Sequence, residues 1–179
     1  MYYSTTHPSP VGLLTLASDG DHLMGLWIEG QKYHGCSIPD AMAQRDDVSV
    51  FSMAKNWLDK YFAGKQPDIS ALPLAPHGSD FRKSVWNILC EIPYGAITTY
   101  GDIAKRMARV MNKESLSAQA VGGAVGHNPI SIIIPCHRVV GTNGSLTGYA
   151  GGIDIKKRLL ELEGAPISAL FVHKSGTAL

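Results

Sequence analysis

Between Gly64 and Gly78 the chain holds three prolines and two glycines and follows neither a helical nor a strand period. No regular element crosses such a stretch, so it reads as an extended connection, and the apolar residues on either side must be buried separately. The chain has 179 residues, 45% of them hydrophobic, which suits one compact unit or a small domain beside a larger one. We expect domains at 1–78 and 79–179. Charge changes across the same boundary. Residues 1–80 carry five basic and nine acidic side chains, and residues 81–179 carry eleven and six. A polyanion is repelled by the first part and drawn to the second.

In the first part, the apolar runs Val11–Leu16 and Leu23–Ile28 flank Asp19-Gly20, a hairpin signal. Val50, Met53, Ala54, Trp57, Leu58 and Tyr61 then recur at helical spacing before Gly64. The expectation is a small sheet with one packed helix. His7, His22, His34 and His77 share no ligand spacing, and Cys36, Cys90 and Cys136 form no C-x-x-C pair, so neither a metal site nor a disulfide framework is expected. No apolar run reaches the ~20 residues that span a bilayer. Met1–Pro8 lacks the basic and apolar segments of a signal peptide, so a cytoplasmic protein is expected.

The second part reads as mostly helical. Ser79-Asp80 can cap a helix bearing Phe81, Val85, Ile88, Leu89 and Ile92, closed by Pro93, with Cys90 in the core. Thr98 or Thr99 can cap a short helix carrying Tyr100, Ile103, Ala104 and Met107. An interruption follows from Arg109 to Leu116, and Ser117 opens a helix that ends at Asn128-Pro129. Two short helices across a turn suggest a helix-turn-helix. The second of them holds Gly122, Gly123 and Gly126, each costing about 1 kcal/mol relative to alanine. Either tight core packing or close approach of another surface accounts for them. With Gln119 as its one long polar side chain, this helix is poorly equipped to read base edges and fits sequence-independent insertion into a minor groove.

The run Ile132–Val140 delivers the most reactive chemistry: three isoleucines, a proline, then Cys136 followed by His137 and Arg138. Thiolate is the nucleophilic form of cysteine, and a neighbouring base or cation promotes it. The competing reading is a buried, inert cysteine. On an extended segment consecutive side chains point apart, so a water between Cys136 and His137 is expected rather than direct contact. A helix from Ile155 would bury Ile155, Leu159 and Leu162, turn Glu161 outward toward Lys157 or Arg158, and place Glu163 beside the stripe, where His137 is its obvious partner; the competing reading is a partly exposed glutamate of the last turn.

These residues resemble the O6-alkylguanine-DNA alkyltransferase (methylated-DNA–protein-cysteine methyltransferase) family. The resemblance is carried by Phe81…Val85-Trp86, Ile92-Pro93-Tyr94-Gly95, Thr99-Tyr100-Gly101, Ala120-Val121-Gly122, Asn128-Pro129, Ile134–Val139, Gly148–Gly152, and Lys156 through Gly164. It covers residues 79–164 closely and residues 1–64 more loosely. It implies an α/β (α+β) chain, with a ribonuclease H-like N-terminal domain and a helical C-terminal domain holding a helix-turn-helix. The implied function is DNA repair. The alkyl group of O6-alkylguanine, and of O4-alkylthymine, passes to Cys136 once per molecule, with minor-groove binding, base flipping and no cofactor or metal.

The resemblance also assigns roles. Cys136 is the acceptor, His137 its base through a water, Glu163 the carboxylate orienting His137, and Tyr100 the donor to the flipped base. Val125, Asn128, Val139, Tyr149, Ala150 and Lys156 match substrate-binding positions. Thr99, Gln119, Ala120, Gly122, Gly123 and Arg138 match DNA-binding ones. Many relatives carry arginine where Gln119 stands, and the segment 109–116 is longer than usual, so Arg109 and Lys113 are further candidates for phosphate contact. The implied partner is double-stranded DNA containing O6-alkylguanine, met by a monomer with no membrane attachment. A non-catalytic binder of alkylated DNA would lack Cys136, a helix-turn-helix regulator is disfavoured by the Gly/Ala helix, and a cysteine hydrolase would need an oxyanion motif that we do not find.

Overall fold

A computed structural model describes residues 1–38 and 41–172. It divides into two compact units. The first is built from Met1–Gly78 together with Pro129–Ile133, and the second from Ser79–Asn128 and the chain from Ile134 onward. A division at residue 78 alone puts Pro129–Ile133 in the second part. Backbone pairing moves it, because Leu26 N–H donates to the Pro129 carbonyl (2.8 Å) and Ser131 N–H to the Leu26 carbonyl (2.9 Å).

The first unit is a four-stranded sheet with one helix. Strands β1 (Tyr2–Ser9), β2 (Gly12–Ser18), β3 (Leu23–Ile28) and β4 (Met42–Gln44) lie in the order β3-β2-β1-β4. The expected hairpin is β2–β3, antiparallel, and β4 pairs parallel with β1. Strand β1 was not foreseen, since its polar Tyr2–Ser9 sequence gives no apolar alternation. All six residues of β3 are buried. Its outer edge is covered by parallel bridges from Leu74 to Leu23 and from Ile130 to Leu26, which removes an exposed strand edge. Helix α1 (Ser49–Phe62) buries Val50, Phe51, Ala54, Trp57, Leu58 and Tyr61. Each such large apolar side chain contributes about 1.5–3 kcal/mol.

The second unit holds α2 (Asp80–Cys90), α3 (Tyr100–Val110), α4 (Ala118–Gly126) and α5 (Ile153–Leu162), with a two-residue parallel pair β5 (Thr98–Thr99) and β6 (Val139–Val140). The caps fall where the sequence puts them. Ser79, Thr99 and Ser117 each accept a backbone N–H from the first turn of α2, α3 and α4. Trp86 on α2 donates its indole N–H to the Ala124 carbonyl on α4 (2.9 Å).

Three expectations need correction here. Helix α3 runs through Arg109 to Val110 and closes on Asn112 at φ 51°, with Asn112 N–H on the Arg109 carbonyl and Lys113 N–H on the Ala108 carbonyl. That left-handed cap puts Arg109 in the last helical turn rather than in the connection. On α5, Lys156, Leu159 and Leu160 are buried while Leu162 is 36% exposed, so the apolar stripe lies one residue off the expected one. Ile132–Ile134 is not a strand. Ile133 N–H bonds the Ser131 carbonyl (2.8 Å) around Ile132 at φ 70°, and Cys136 N–H bonds the Ile134 carbonyl (2.8 Å) around Pro135 at φ −82°, ψ 62°. These are two successive γ-turns, the first of the rare strained kind and the second inverse. Cys136–Arg138 then forms a single 3-10 turn.

Candidate functional site

Cys136 is 5% exposed, and its sulfur accepts from Asn128 Nδ2 at 3.1 Å. The same amide donates to the Ile134 carbonyl at 2.8 Å, so Asn128, at the end of α4, holds both the nucleophile and the inverse γ-turn that presents it. Burial pushes the Cys136 thiol up, and the Asn128 hydrogen bond and the charge of Lys156 oppose it. Lys156, which is remote in sequence, is thus a cation that favours the thiolate, beside the base or cation expected from the two residues that follow Cys136.

His137 and Glu163 are buried together, with His137 Nε2 2.6 Å from Glu163 Oε1. Glu163 is the C-cap of α5. Gly164, at φ 67°, closes the helix with its N–H on the Glu161 carbonyl and that of Ala165 on the Leu160 carbonyl, and this fixes where the carboxylate points. Burial would raise the Glu163 carboxyl, but hydrogen bonds and charge from His137 and Arg138 prevail and bring it down to about 2. Burial lowers His137, with Glu163 pulling the other way, so the imidazole is neutral near neutral pH. An ionised carboxylate only accepts, so the network assigns the ring hydrogen to Nε2 and leaves Nδ1 as the basic nitrogen.

Arg138, expected at the DNA surface, is only 8% exposed. Its Nε and Nη2 donate to the two Glu163 oxygens at 2.8 and 3.1 Å, its Nη1 donates to the Ile92 carbonyl at 2.6 Å, and it lies over the Tyr94 ring. Turn geometry explains the change: a 3-10 turn directs His137 and Arg138 onto one carboxylate, which an extended segment would not. Gly95 completes the ring of donors, its N–H reaching Glu163 Oε2 at 3.1 Å. At φ 75°, and with a Cβ that would meet the Glu163 carbonyl at 2.8 Å, only glycine fits there. Ile92, Tyr94 and Gly95 belong to a motif visible in the sequence, but nothing in it announces a cation on Glu163 beside His137.

Tyr100, at the head of α3, is brought beside this loop by the pairing of Thr98 with Val139. Its hydroxyl donates to the Thr147 carbonyl (3.1 Å), and burial raises it, so it stays protonated. Gly148, at φ 70°, has no Cβ to strike the Tyr100 hydroxyl, which would lie 3.0 Å from it. Lys156 is fully buried and donates to the Val139 (2.5 Å) and Thr147 (2.8 Å) carbonyls, and burial lowers its ammonium to about 8. Val125, Val139 and Tyr149 are buried, and the Tyr149 ring stands edge-on to His137. Ala150 is half-buried in a turn closed by Gly152 N–H on the Tyr149 carbonyl, which leaves the Ala150 N–H unused by the turn.

The remaining candidates lie on α3, α4 and the chain between them. Thr99 and Gly122 are half-exposed, and Gln119, Ala120, Gly123, Arg109 and Lys113 are exposed. A Cβ on Gly123 or Gly126 would meet nothing within 4 Å, and one on Gly122 only the Tyr100 ring at 3.9 Å. Internal packing therefore does not require these glycines, and the tight-core reading of the helix fails. Among the described residues no cluster could hold a metal ion and no helix is long and apolar enough to cross a membrane.

The profile described as 6-O-methylguanine DNA methyltransferase, DNA binding domain, matches residues 80–165, and the ribonuclease-like domain of the same name matches residues 1–76. The methylated-DNA–protein-cysteine methyltransferase of Methanosarcina acetivorans is 45% identical over 92% of this chain and 99% of its own. That of Haemophilus influenzae is 41% identical over 92% and 87%. Among solved structures, the Mycobacterium tuberculosis OGT in complex with DNA is 42% identical, with a TM-score of 0.76 over 92% of this chain and 94% of that one. With both profiles spanning most of its length and these identities, the chain belongs to the methylated-DNA–protein-cysteine methyltransferase family.

Proposed function

We propose that this protein repairs duplex DNA by moving the alkyl group of O6-alkylguanine, and of O4-alkylthymine, onto Cys136. The observation that carries the reading is the buried Glu163–His137 pair, next in the chain to a cysteine held by Asn128. The Cys136 proton passes through a water to His137 Nδ1, and Glu163 stabilises the imidazolium. The thiolate attacks the alkyl carbon, the carbon–O6 bond breaks, and its electron pair goes to the base, which Tyr100 helps to protonate. Lys156 uses one lone pair of the Val139 carbonyl, and the other is left for the exocyclic amine of guanine. The Ala150 N–H faces O6, and Val125 and Tyr149 wall the pocket. The product is a thioether, which the site cannot expel, so each molecule acts once.

A stacked base keeps O6 out of reach, so the nucleotide is flipped out. Helices α3 and α4 act as a helix-turn-helix whose bare Gly122–Gly126 face enters the minor groove, with Thr99, Gln119 and Ala120 beside it and Arg109 and Lys113 on phosphate. The working form is a cytoplasmic monomer. Intact mass after incubation with an O6-methylguanine duplex tests this: one methylene is gained by the wild type and none by Cys136→Ser, which still binds the duplex. A Cys136→Ser protein that gains the same mass at the wild-type rate disproves the assignment.

A further inference from the structure

The segment Pro129–Ile133 leaves the second unit after Asn128 and re-enters it at Ile134, and its tip is fastened inside the first unit. Two backbone hydrogen bonds tie it to Leu26, as described above. A third contact is made by side chains. The Ser131 hydroxyl donates to Gln31 Oε1 at 3.1 Å, and the same oxygen accepts the Ile28 N–H at 2.7 Å. Both side chains are buried, Ser131 at 1% and Gln31 at 6% exposure. Gln31 is itself pinned by its N–H on the Ile28 carbonyl at 3.0 Å.

The next residue carries the strain. Ile132 is fully buried and β-branched, yet sits at φ 70° inside a γ-turn. A conformation of that kind costs on the order of 1–3 kcal/mol and persists only where its surroundings over-determine it. Here the constraints are the Leu26 pairing and the Gln31–Ser131 bond on one side, and the Asn128 amide on the Ile134 carbonyl on the other. Cys136 follows Ile134 by one proline, so slack in the γ-turn reaches the sulfur through four residues of irregular backbone with no helix or strand to absorb it.

We propose that Gln31 and Ser131 are positioning residues for alkyl transfer: their buried hydrogen bond holds the strained turn at Ile132 and so fixes the backbone that presents Cys136. The inference rests on the alkyl-transfer reading above. Displacement of a reacting atom by about 1 Å costs up to about a hundredfold in rate, so a partial loosening is visible in the chemical step.

The test is single-turnover methyl transfer from an O6-methylguanine duplex to the full chain over a range of protein concentrations. It separates the limiting rate, the half-saturating concentration and the competent fraction. Gln31→Met, which removes the acceptor, lowers the limiting rate about tenfold, and Ser131→Ala lowers it about threefold. The double variant is no slower than Gln31→Met, because both act through one contact. Half-saturation and competent fraction stay at wild-type values, and Gln31→Glu, which keeps an acceptor oxygen, recovers most of the rate. Should Gln31→Met fail to fold, Ser131→Ala carries the measurement alone. Limiting rates equal to wild type in the variants overturn the proposal. So does a loss confined to the competent fraction, which marks a merely structural contact, or a Gln31→Glu protein as slow as Gln31→Met. Failure of the wild type itself to take up the methyl group overturns instead the reading on which the proposal stands.

Discussion

Among the described residues of the sheet unit the buried polar side chains are Thr5, Ser18, Gln31 and Ser131, all uncharged, while in the helical unit they include His137, Arg138, Lys156 and Glu163. The first unit is stabilised by apolar area on regular elements. The second spends stability on taking charges out of water, which is repaid only where every donor and acceptor is matched. That matching is close to complete around Glu163, whose two oxygens receive His137, Arg138 twice and Gly95. Charge is concentrated in the unit that bears the reactive cysteine, and the sheet unit contributes regular backbone to which the Pro129–Ile133 segment is pinned.

The contrast is broken most directly by one substitution of each kind. Glu163→Gln leaves the Arg138 cation buried without its counter-charge and costs about 3 kcal/mol. Leu16→Ala in the sheet costs a similar amount, about 2–5 kcal/mol, by opening a cavity. Urea denaturation reads both losses. The two diverge in single-turnover transfer measured per folded molecule, where Glu163→Gln is slower with a shifted pH–rate profile and Leu16→Ala is unchanged. Equal rates in the two variants would erase the distinction between the units.

Acid sharpens it. The Glu163 carboxyl lies at about 2 in the folded protein against an ordinary value of 4.5. A carboxyl lowered by folding adds stability in full above its unfolded pKa and loses it as pH falls toward the folded one. Stability therefore declines between about pH 4.5 and 2, and Glu163→Gln flattens that part of the curve. An unaltered acid limb in the variant would assign the acid sensitivity to other carboxylates.

The smallest expected effect concerns α4. Gly123→Ala places a methyl where nothing lies within 4 Å, so it stabilises the free protein by up to about 1 kcal/mol through helix propensity. The same methyl weakens binding to every duplex, alkylated or not, if this face enters a groove. Tighter or unchanged binding would remove the helix from the interface.

Regular elements were legible because local signals and burial agreed: Asp19-Gly20 between two apolar runs, Ser79, Thr99 and Ser117 as caps, and helical spacing from Val50 to Tyr61. The pairing of His137 with Glu163 was also readable, since a carboxylate beside an apolar stripe needs a partner. The path of the nucleophile loop was not. Three isoleucines in a row have the composition of a strand, and only tertiary constraint puts a β-branched residue at positive φ. The resemblance matched Arg138 to a DNA-binding position, and only the 3-10 turn that follows shows it turned onto Glu163. Asn112 carried a usable signal for the end of α3, because asparagine tolerates the left-handed cap that keeps Arg109 helical.

Lys156 separates two duties that a buried cation usually performs together. Its two carbonyl acceptors ask for two N–H groups, and an ammonium has three while a neutral amine still has two. Titration near pH 8 therefore leaves the joint between the Val139 and Thr147 backbones intact. What disappears with the proton is the positive field that favours the Cys136 thiolate. Because this lysine is less protonated folded than unfolded, its loss of charge adds stability as pH rises from about 8 toward 10.5. Scaffold and reactivity are thus uncoupled in alkali: the folded state gains stability while the sulfur loses an electrostatic aid.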